Sequence, residues 1–210
     1  MKKIFMAIVA VLMAAPSFAQ YSSGGFNLSE STVYYGIRLG MNISSLSGDY
    51  QDMGARTGMN LGGVIGLRVS DSTPVFLESG LYYSGRGAKE GKTSVTMHYM
   101  EVPVLIKYGI QIPDVDIAIL PYIGPYFSYG LSGDKKYEST SGTTTVIAKR
   151  STYKDYKHAD MGFKVGCGAE YNKLYLELGY QFGVLNIAKE NPGDLGAHTG
   201  SLYVNLGVNF

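Results

Sequence analysis

Several residue types and patterns are scarce in this chain, and each absence excludes a class of protein. Cys167 is the only cysteine among 210 residues, and tryptophan does not occur. A single thiol excludes an intramolecular disulfide and a metal site built from cysteines. Basic and acidic residues number 18 and 17, and this balance leaves no electrostatic footprint for nucleic acid. After residue 19, no apolar run approaches the ~20 residues of a transmembrane helix.

The first residues have the pattern of an export signal. Lys2 and Lys3 form a positive region, residues 4–15 form an apolar region, and Ser17-Phe18-Ala19 is a small-x-small cleavage site. The apolar region is too short to span a bilayer as a helix. The pattern predicts a signal peptide at 1–19 that is cleaved on export.

Alternation of apolar and polar residues, the repeat of a β-strand, occurs in eight segments. The predicted strands are 33–43, 59–69, 75–84, 96–109, 117–131, 160–171, 174–185 and 201–210. The connections that are short and rich in turn residues are 70–74, 111–116 and 172–173. The connections that are long and polar are 44–58, 85–95, 132–159 and 186–200. This alternation is typical of an up-and-down outer-membrane barrel with periplasmic termini and turns and with its long loops outside.

The two faces of the predicted strands differ in charge. One face, which includes Leu39, Val104 and Leu178, has no charged residue in any of the eight strands. The other face holds four bases and four acids, Arg38, Arg68, Glu78, Glu101, Lys107, Lys164, Glu170 and Glu177. It is also rich in glycine, which the narrow interior of an eight-stranded barrel needs and a solvent face does not.

These observations predict an all-β fold, an eight-stranded antiparallel up-and-down transmembrane β-barrel with a plugged polar interior. The predicted organisation is a cleaved signal peptide at 1–19, an N-terminal periplasmic lead-in at 20–32 and an outer-membrane barrel domain at 33–210. The alternative is a soluble, lipocalin-like barrel, which would turn the same apolar face inward.

The eight charges are expected to form a salt-bridge network that fills the barrel, because an isolated charge in a dry interior is very costly. The turn at 70–74 is expected to bring Arg68 close to Glu78. The turn at 172–173 is expected to place Glu170 near Glu177, with a cation close by. A catalytic pair of carboxylates is the competing interpretation, but no substrate reaches a plugged lumen.

The last strand carries a second localisation signal. Leu202, Val204, Leu206, Val208 and Phe210 share one face at a strict period of two. The segment resembles the terminal strand of bacterial outer-membrane barrels, in which the final aromatic residue is an assembly signal. The resemblance implies that Phe210 is read by the barrel assembly machinery.

Four segments carry a resemblance to a known family. They are 34–42, 78–84, 99–108 and 121–127, and the run Tyr-x-Glu-x-Pro-x-x-x-Lys-Tyr at 99–108 is the most specific of them. Together they resemble the PorT-like outer-membrane β-barrel family, a group of small barrels akin to OmpA and OmpX. The resemblance implies the fold and the location. The family's namesake takes part in protein secretion, so a role in a secretion assembly is one alternative function.

Three histidines are predicted to lie near the outer rim. His98 begins the fourth strand, His158 precedes the sixth and His198 precedes the eighth. Imidazoles gathered at one mouth can bind a transition metal, and a histidine beside a nucleophile can support a lipid-processing hydrolase. The three strands are not neighbours and no recognisable spacing is present. We therefore expect no catalytic residue, no metal and no cofactor.

The loop at 132–159 is rich in basic residues, among them Lys135, Lys136, Lys149 and Arg150. The β-branched residues at its centre favour extended structure. A projecting hairpin would expose strand edges that can recruit a partner, or its charge can meet acidic lipopolysaccharide head groups. A mobile, solvated loop is the third possibility.

Three prolines lie within strands that are predicted to be neighbours. Pro103, Pro121 and Pro125 each remove a donor from the ladder, which predicts a bulge or a strained pairing there.

The function predicted from these features is that of a small, non-enzymatic outer-membrane barrel. Its external loops would act in surface interaction or envelope stability. The expected partners are outer-membrane lipids and lipopolysaccharide, the barrel assembly machinery and an envelope or surface protein. A secretion component and a lipid-modifying enzyme are the alternatives.

Overall fold

The computed structural model describes residues 33–48, 54–70, 72–91, 93–113, 115–141, 144–189 and 196–210. The predicted signal peptide at 1–19 and lead-in at 20–32 lie outside these residues. Within the described part of the chain, no helix has the length and apolar character needed to cross a bilayer.

The described chain forms eight long strands and three shorter ones. The long strands are β1 (Val33–Gly48), β2 (Gly54–Arg68), β3 (Val75–Glu90), β4 (Thr93–Tyr108), β6 (Ile117–Ser132), β9 (Ala159–Tyr171), β10 (Leu174–Gly183) and β11 (Ala197–Asn209). The shorter strands are β5 (Ile110–Gln111), β7 (Asp134–Ser141) and β8 (Thr144–Ser151), and a 3-10 helix follows at Thr152–Lys154.

The eight long strands close into an antiparallel barrel. They pair in the order β6-β9-β10-β11-β1-β2-β3-β4, and β4 pairs with β6 to complete the circle. At the seam between the first and last strands, the Phe210 N–H donates to the Tyr35 carbonyl at 2.7 Å and the Tyr35 N–H donates back at 3.2 Å. The predicted eight-stranded antiparallel barrel is confirmed.

Connections at one end of the barrel, the turn end, are short, as predicted. They lie between β2 and β3, between β4 and β6, and between β9 and β10. In the last of these, Asn172 has a φ of 53°, a left-handed conformation that asparagine tolerates better than most residues. Val33 and Phe210 lie at this same end.

At the opposite end, the loop end, the strands extend further than predicted. β1 continues to Gly48 and β2 begins at Gly54, so most of the predicted loop 44–58 is strand. β3 and β4 likewise replace most of the predicted loop 85–95. The sequence there is polar, but inward side chains such as Ala88 and Val95 are fully buried and extend the core beyond the apolar belt.

The apolar face of every long strand points outward. Leu206 is 65% exposed and Ile37 is 56% exposed, whereas Arg38 between apolar neighbours is 1% exposed. A soluble barrel would show the opposite arrangement, so that alternative is wrong. An uncharged, apolar outer surface around a closed sheet is the surface that meets lipid hydrocarbon.

The prolines produce no bulge, but the ladder between β4 and β6 is interrupted beside Pro125, where Val104 and Leu105 have no paired residue on β6. Pro103 pairs with Tyr126 and Ile106 pairs with Ile123, and this register is continuous across the segment that contains Pro125. The register of Pro121 with Cys167 on β9 is also regular. The shift between β4 and β6 lies instead at His98/Tyr99, near the loop end, where the wall changes from β6 to β7.

The outward face predicts a depth-dependent cost for charge. Leu178 lies midway along β10, is 53% exposed and faces lipid. Leu178→Arg should lower the free energy of unfolding by about 2–4 kcal/mol, because arginine at the bilayer midplane is poorly solvated. Urea unfolding in lipid vesicles measures this change. Ile112→Arg, in the turn before β6, is the matched control and should cost at most about 1 kcal/mol. Equal costs at the two positions would contradict the outward assignment.

Candidate functional site

Glycines of the inner face make room for tyrosine rings. A Cβ atom on Gly66 would overlap the ring of Tyr34, and one on Gly168 would overlap the ring of Tyr175. Both tyrosines are 2% exposed. The glycine-rich face is therefore the crowded interior, as the sequence predicted.

Glu78 is the centre of the ion cluster nearer the turn end. Its Oε1 lies 2.8 Å from Lys107 Nζ, and its Oε2 lies 3.5 Å from Arg38 Nη2. The Tyr34 hydroxyl donates to the same Oε2 at 2.7 Å. The guanidinium of Arg38 lies 4.0 Å from the ring centroid of Tyr175, which also accepts a hydrogen bond from Lys107. Three strands of the predicted network, β1, β3 and β4, meet at this one carboxylate.

Arg86 is the centre of the second cluster, nearer the loop end. It forms ion pairs with Glu101 and, at 3.1 Å, with Asp160. Lys164 pairs with the other oxygen of Glu101. Asp160 Oδ2 also accepts the Thr199 hydroxyl at 2.8 Å. All four charged groups are buried, so they compensate one another in a space with little water.

Arg86 and Asp160 were missed by the sequence prediction. Arg86 fell in the predicted loop 85–95, and Asp160 stood at the first residue of a predicted strand. The available signal was the alternation of residues 82–88, which continues the inward face of β3 beyond the predicted end. Strand ends are the least certain part of a prediction from sequence.

The turn at 70–74 does not bring Arg68 to Glu78, contrary to the prediction. Arg68 lies opposite Phe76, not Glu78, and its Nε donates to the Ser70 carbonyl at 2.8 Å. Glu78 binds Arg38 and Lys107, which reach it from the neighbouring inward positions.

Glu170 and Glu177 lie on adjacent strands, as expected, and each accepts a hydrogen bond from the side-chain amide of an asparagine. Asn209 Nδ2 donates to Glu170 Oε2 at 2.9 Å, and Asn205 Nδ2 donates to Glu177 Oε1 at 2.6 Å. Both asparagines come from β11.

An apolar cluster lies above the ion pairs at the loop end. Two loop segments, 152–158 and 184–189, meet through a bridge between Tyr156 and Ala188. Lys157 N–H donates to the Ile187 carbonyl at 2.7 Å, and the Lys189 ammonium donates to the Tyr153 carbonyl at 2.6 Å. The buried apolar cluster comprises Leu46, Ala88, Val95, Met97, Tyr99, Tyr156, Ile187, Ala188 and Ala197.

Two of the three predicted rim histidines, His98 and His158, pack against tyrosine rings. His98 Nδ1 lies 2.6 Å from the Tyr83 hydroxyl, and the two rings are stacked. The ring of His158 lies between those of Tyr129 and Tyr153, with centroid distances of 5.4 and 4.1 Å. Burial raises the pKa of the Tyr153 phenol above its ordinary value. Among the described residues, no group of three metal-ligating side chains occurs.

The segment predicted as the loop 132–159 contains a β-hairpin. β7 continues the wall along β4 through the pairs Thr93–Tyr137 to Val95–Lys135, and β8 folds back on β7. In the described sheet β7 is the partner of β8, and the order ends at β8. The segment therefore forms the predicted hairpin, and within the described sheet β8 is its edge strand.

The geometry defines a class of protein. A closed eight-stranded sheet with apolar residues outside, ion pairs inside and extended structure at one end is a transmembrane β-barrel. The model of the outer membrane protein beta-barrel domain family matches residues 18–189, which is most of the chain. The chain belongs to this family.

Solved barrels have similar structures at low sequence identity. Neisserial surface protein A is 16% identical, with 86% of this chain and 98% of that chain covered and a TM-score of 0.47. A major outer membrane protein from Thermus thermophilus is 13% identical, with coverages of 86% and 100% and a TM-score of 0.49. Ail, the attachment invasion locus protein of Yersinia pestis, is 12% identical, with coverages of 86% and 100% and a TM-score of 0.46. No curated protein matches the sequence significantly.

The buried cluster around Arg86 predicts a large effect of one substitution. Arg86→Met keeps most of the side-chain volume but leaves Glu101 and Asp160 without this cation. We expect a loss of about 3–5 kcal/mol in the free energy of unfolding, because an uncompensated buried charge is expensive. Urea unfolding followed by heat-modifiable migration on gels measures it. Arg68→Met, at the half-buried end of β2, is the control. A loss at Arg86 no larger than at Arg68 would contradict the cluster's structural role.

Proposed function

We propose that the protein is a non-enzymatic outer-membrane barrel that acts in surface interaction or envelope stability through structures at its loop end. In this proposal the loop end faces the cell exterior, and the turn end and both termini face the periplasm. The placement of all short connections at one end and the hairpin at the other supports this orientation.

The single observation that carries the proposal is the free edge of the hairpin. β8 has β7 on one side, and the described sheet ends on its other side. A strand edge offers a row of backbone donors and acceptors, and an extended segment of another protein can pair with it. Ala148, Lys149 and Arg150 on this strand are exposed. A protein partner that adds a strand to β8 is therefore the interaction we propose.

The interior supports a binding role rather than transport. Arg38, Arg86 and Lys107 are each at most 1% exposed, and each lies against an opposite charge or a ring. Such a lumen is plugged in our proposal. An eight-stranded barrel is only wide enough for its own side chains, whereas diffusion pores have about twice as many strands.

The non-enzymatic assignment has support from the positions of the histidines. The rings of His98 and His158 are stacked on tyrosines, and Nδ1 of each contacts a hydroxyl or a carbonyl. Four further points stay predictions. They are the narrower PorT-like resemblance, the role of Phe210 as an assembly signal, the assembly machinery as a partner, and the signal peptide.

Site-specific photo-crosslinking tests the edge. A photoreactive amino acid in place of Ala148, which is exposed on β8 and lies outside the outer-face lysines, should give crosslinked products of discrete size in intact cells, since the partner lies against β8. The same amino acid at Lys173, in the turn between β9 and β10, is the control for labelling at the opposite end of the barrel. Products shared by both positions, or none at Ala148, would contradict the proposal. Heat-modifiable migration shows that each variant has folded.

Removal of the rim histidines tests the enzymatic alternative. His98→Ala and His198→Ala, alone and together, should leave the lipid A structure of the cell unchanged, because in our proposal neither imidazole acts on substrate. Mass spectrometry of extracted lipid A from cells with the parent chain, the variants and no chain measures this. A modification that appears only with the parent chain would overturn the proposal.

A further inference from the structure

A row of lysines crosses the outer face of the wall at the loop end. Lys89 of β3 lies opposite Ser94 of β4, Ser94 lies opposite Lys136 of β7, and Lys136 lies opposite Lys149 of β8. Directly paired residues share a face of the sheet, and neighbouring strands lie ~4.8 Å apart. Three cations therefore stand in one line across four strands, and all three side chains are exposed.

The direction of this row follows from its neighbours. Lys135 pairs with Val95, which is fully buried inside the barrel, so Lys135 belongs to the inner face. Lys136 and Ser94 are the next residues along their strands and so belong to the outer face. The row thus stands on the lipid-facing side of the wall and beyond its apolar belt.

Each face of the hairpin has two like charges opposite each other, but only the inner pair has a counter-ion among the described residues. Lys135 lies opposite Arg150 on the inner face, and both contact Asp155, at 3.8 and 3.1 Å. On the outer face Lys136 lies opposite Lys149, and within the described residues no ion pair includes either one. Like charges directly opposite each other destabilise a sheet. An anion bound between these two ammonium groups would remove that repulsion.

A crevice lies directly below the lysine row on the same face. Its volume is about 460 Å³, and its lining includes Asp134, Ser151, Lys154 and His158. Asp134 pairs with Ser151, the next pair on the outer face, about 7 Å below Lys136 and Lys149. His158 Nδ1 lies 2.7 Å from the Gly130 carbonyl, which can only accept, so Nε2 is the nitrogen left to contact a ligand.

The chemistry of the crevice differs from that of the row above it. The crevice has mixed charge, since it is lined by Asp134 and Lys154 together with Ser151. The Asp134 carboxylate accepts hydrogen bonds from sugar hydroxyls, and the serine hydroxyl bonds to sugars in either direction. The lysines above have only positive charge, and they donate hydrogen bonds to phosphate oxygens. We propose that the row and the crevice together bind the phosphorylated saccharide head group of a glycolipid in the outer leaflet, with the sugar in the crevice and its phosphate between Lys136 and Lys149.

This site rests on the proposed orientation, because only an external loop end meets such head groups. It is separate from the proposed protein contact, which uses the backbone edge of β8 and not the outer face of the hairpin. Failure of the crosslinking experiment would remove the protein partner and leave the glycolipid site standing, and the reverse also holds.

Binding of lipopolysaccharide to the full barrel in zwitterionic detergent tests the site. The dissociation constant is measured by fluorescence anisotropy with labelled lipopolysaccharide as the probe. Lys136→Gln/Lys149→Gln should raise it about tenfold or more, because each lysine near an anionic head group contributes ~1 kcal/mol. Lys135→Gln/Lys173→Gln removes the same charge from the inner face and the turn end, and should change it less than about threefold.

Three further binding measurements identify the ligand. Ser151→Trp, which fills the crevice without a change in charge, should also weaken binding, whereas bare electrostatic attraction would leave it unchanged. Lipopolysaccharide treated with a phosphatase should bind the parent chain about as weakly as the intact lipid binds the double-lysine variant. Millimolar inorganic phosphate should compete poorly. Any of four results would overturn the glycolipid assignment. They are an equal loss of affinity in the control variant, no loss of affinity with Ser151→Trp, equal binding of the dephosphorylated lipid, and full competition by phosphate. Heat-modifiable migration verifies the fold of every variant.

Discussion

Within hydrocarbon the backbone has no water to bond with, so every N–H and C=O of a spanning strand needs a partner in the protein. The pairings of β11 with β1 and of β4 with β6 meet this requirement by closing the sheet. Closure then assigns the two faces of each strand. One face meets lipid and must be apolar, as Leu206 and Ile37 are, and the other faces an enclosed space and must satisfy its own charges. The remaining features of the structure follow from this division.

Enclosure makes the interior both narrow and poor in water. Narrowness explains the glycines, since Gly66 and Gly168 leave the space that the rings of Tyr34 and Tyr175 occupy. Poor solvation explains why the charges form compact clusters around Glu78 and Arg86, because each buried ion needs a counter-ion and further hydrogen bonds. Cation–π contacts with tyrosine rings also stabilise the buried cations, as the contact between Arg38 and the ring of Tyr175 shows. The same clusters join strands that are distant in sequence, and they thereby help to determine the register of the closed sheet.

Beyond the apolar belt, water is present and a strand no longer needs a protein partner for every backbone N–H and C=O. Water can bond to a free edge there, so β8 can exist with one neighbour. The wall also changes its register at His98/Tyr99, where β6 gives way to β7. The lysine row occurs only in this region, because water and anions are available to screen Lys136 and Lys149. Both binding sites that we propose lie where the backbone is no longer constrained by the bilayer. The apolar cluster with Tyr156 and Ile187 separates this region from the ion pairs below it.

The sequence alone determined the features that depend on local period and composition. The alternation in each strand, the number of strands, the three short turns and the charged, glycine-rich inner face all follow from neighbours along the chain. Only the tertiary structure decided which charges meet. Glu78 joins Lys107 and Arg38 rather than Arg68, and Arg86 and Asp160 enter the network, because the stagger of strands around the barrel determines which inward positions share a level. The regular register at Pro103 and the lysine row across β3, β4, β7 and β8 arise in the same way. They are properties of the pairing between strands, and no single strand contains them.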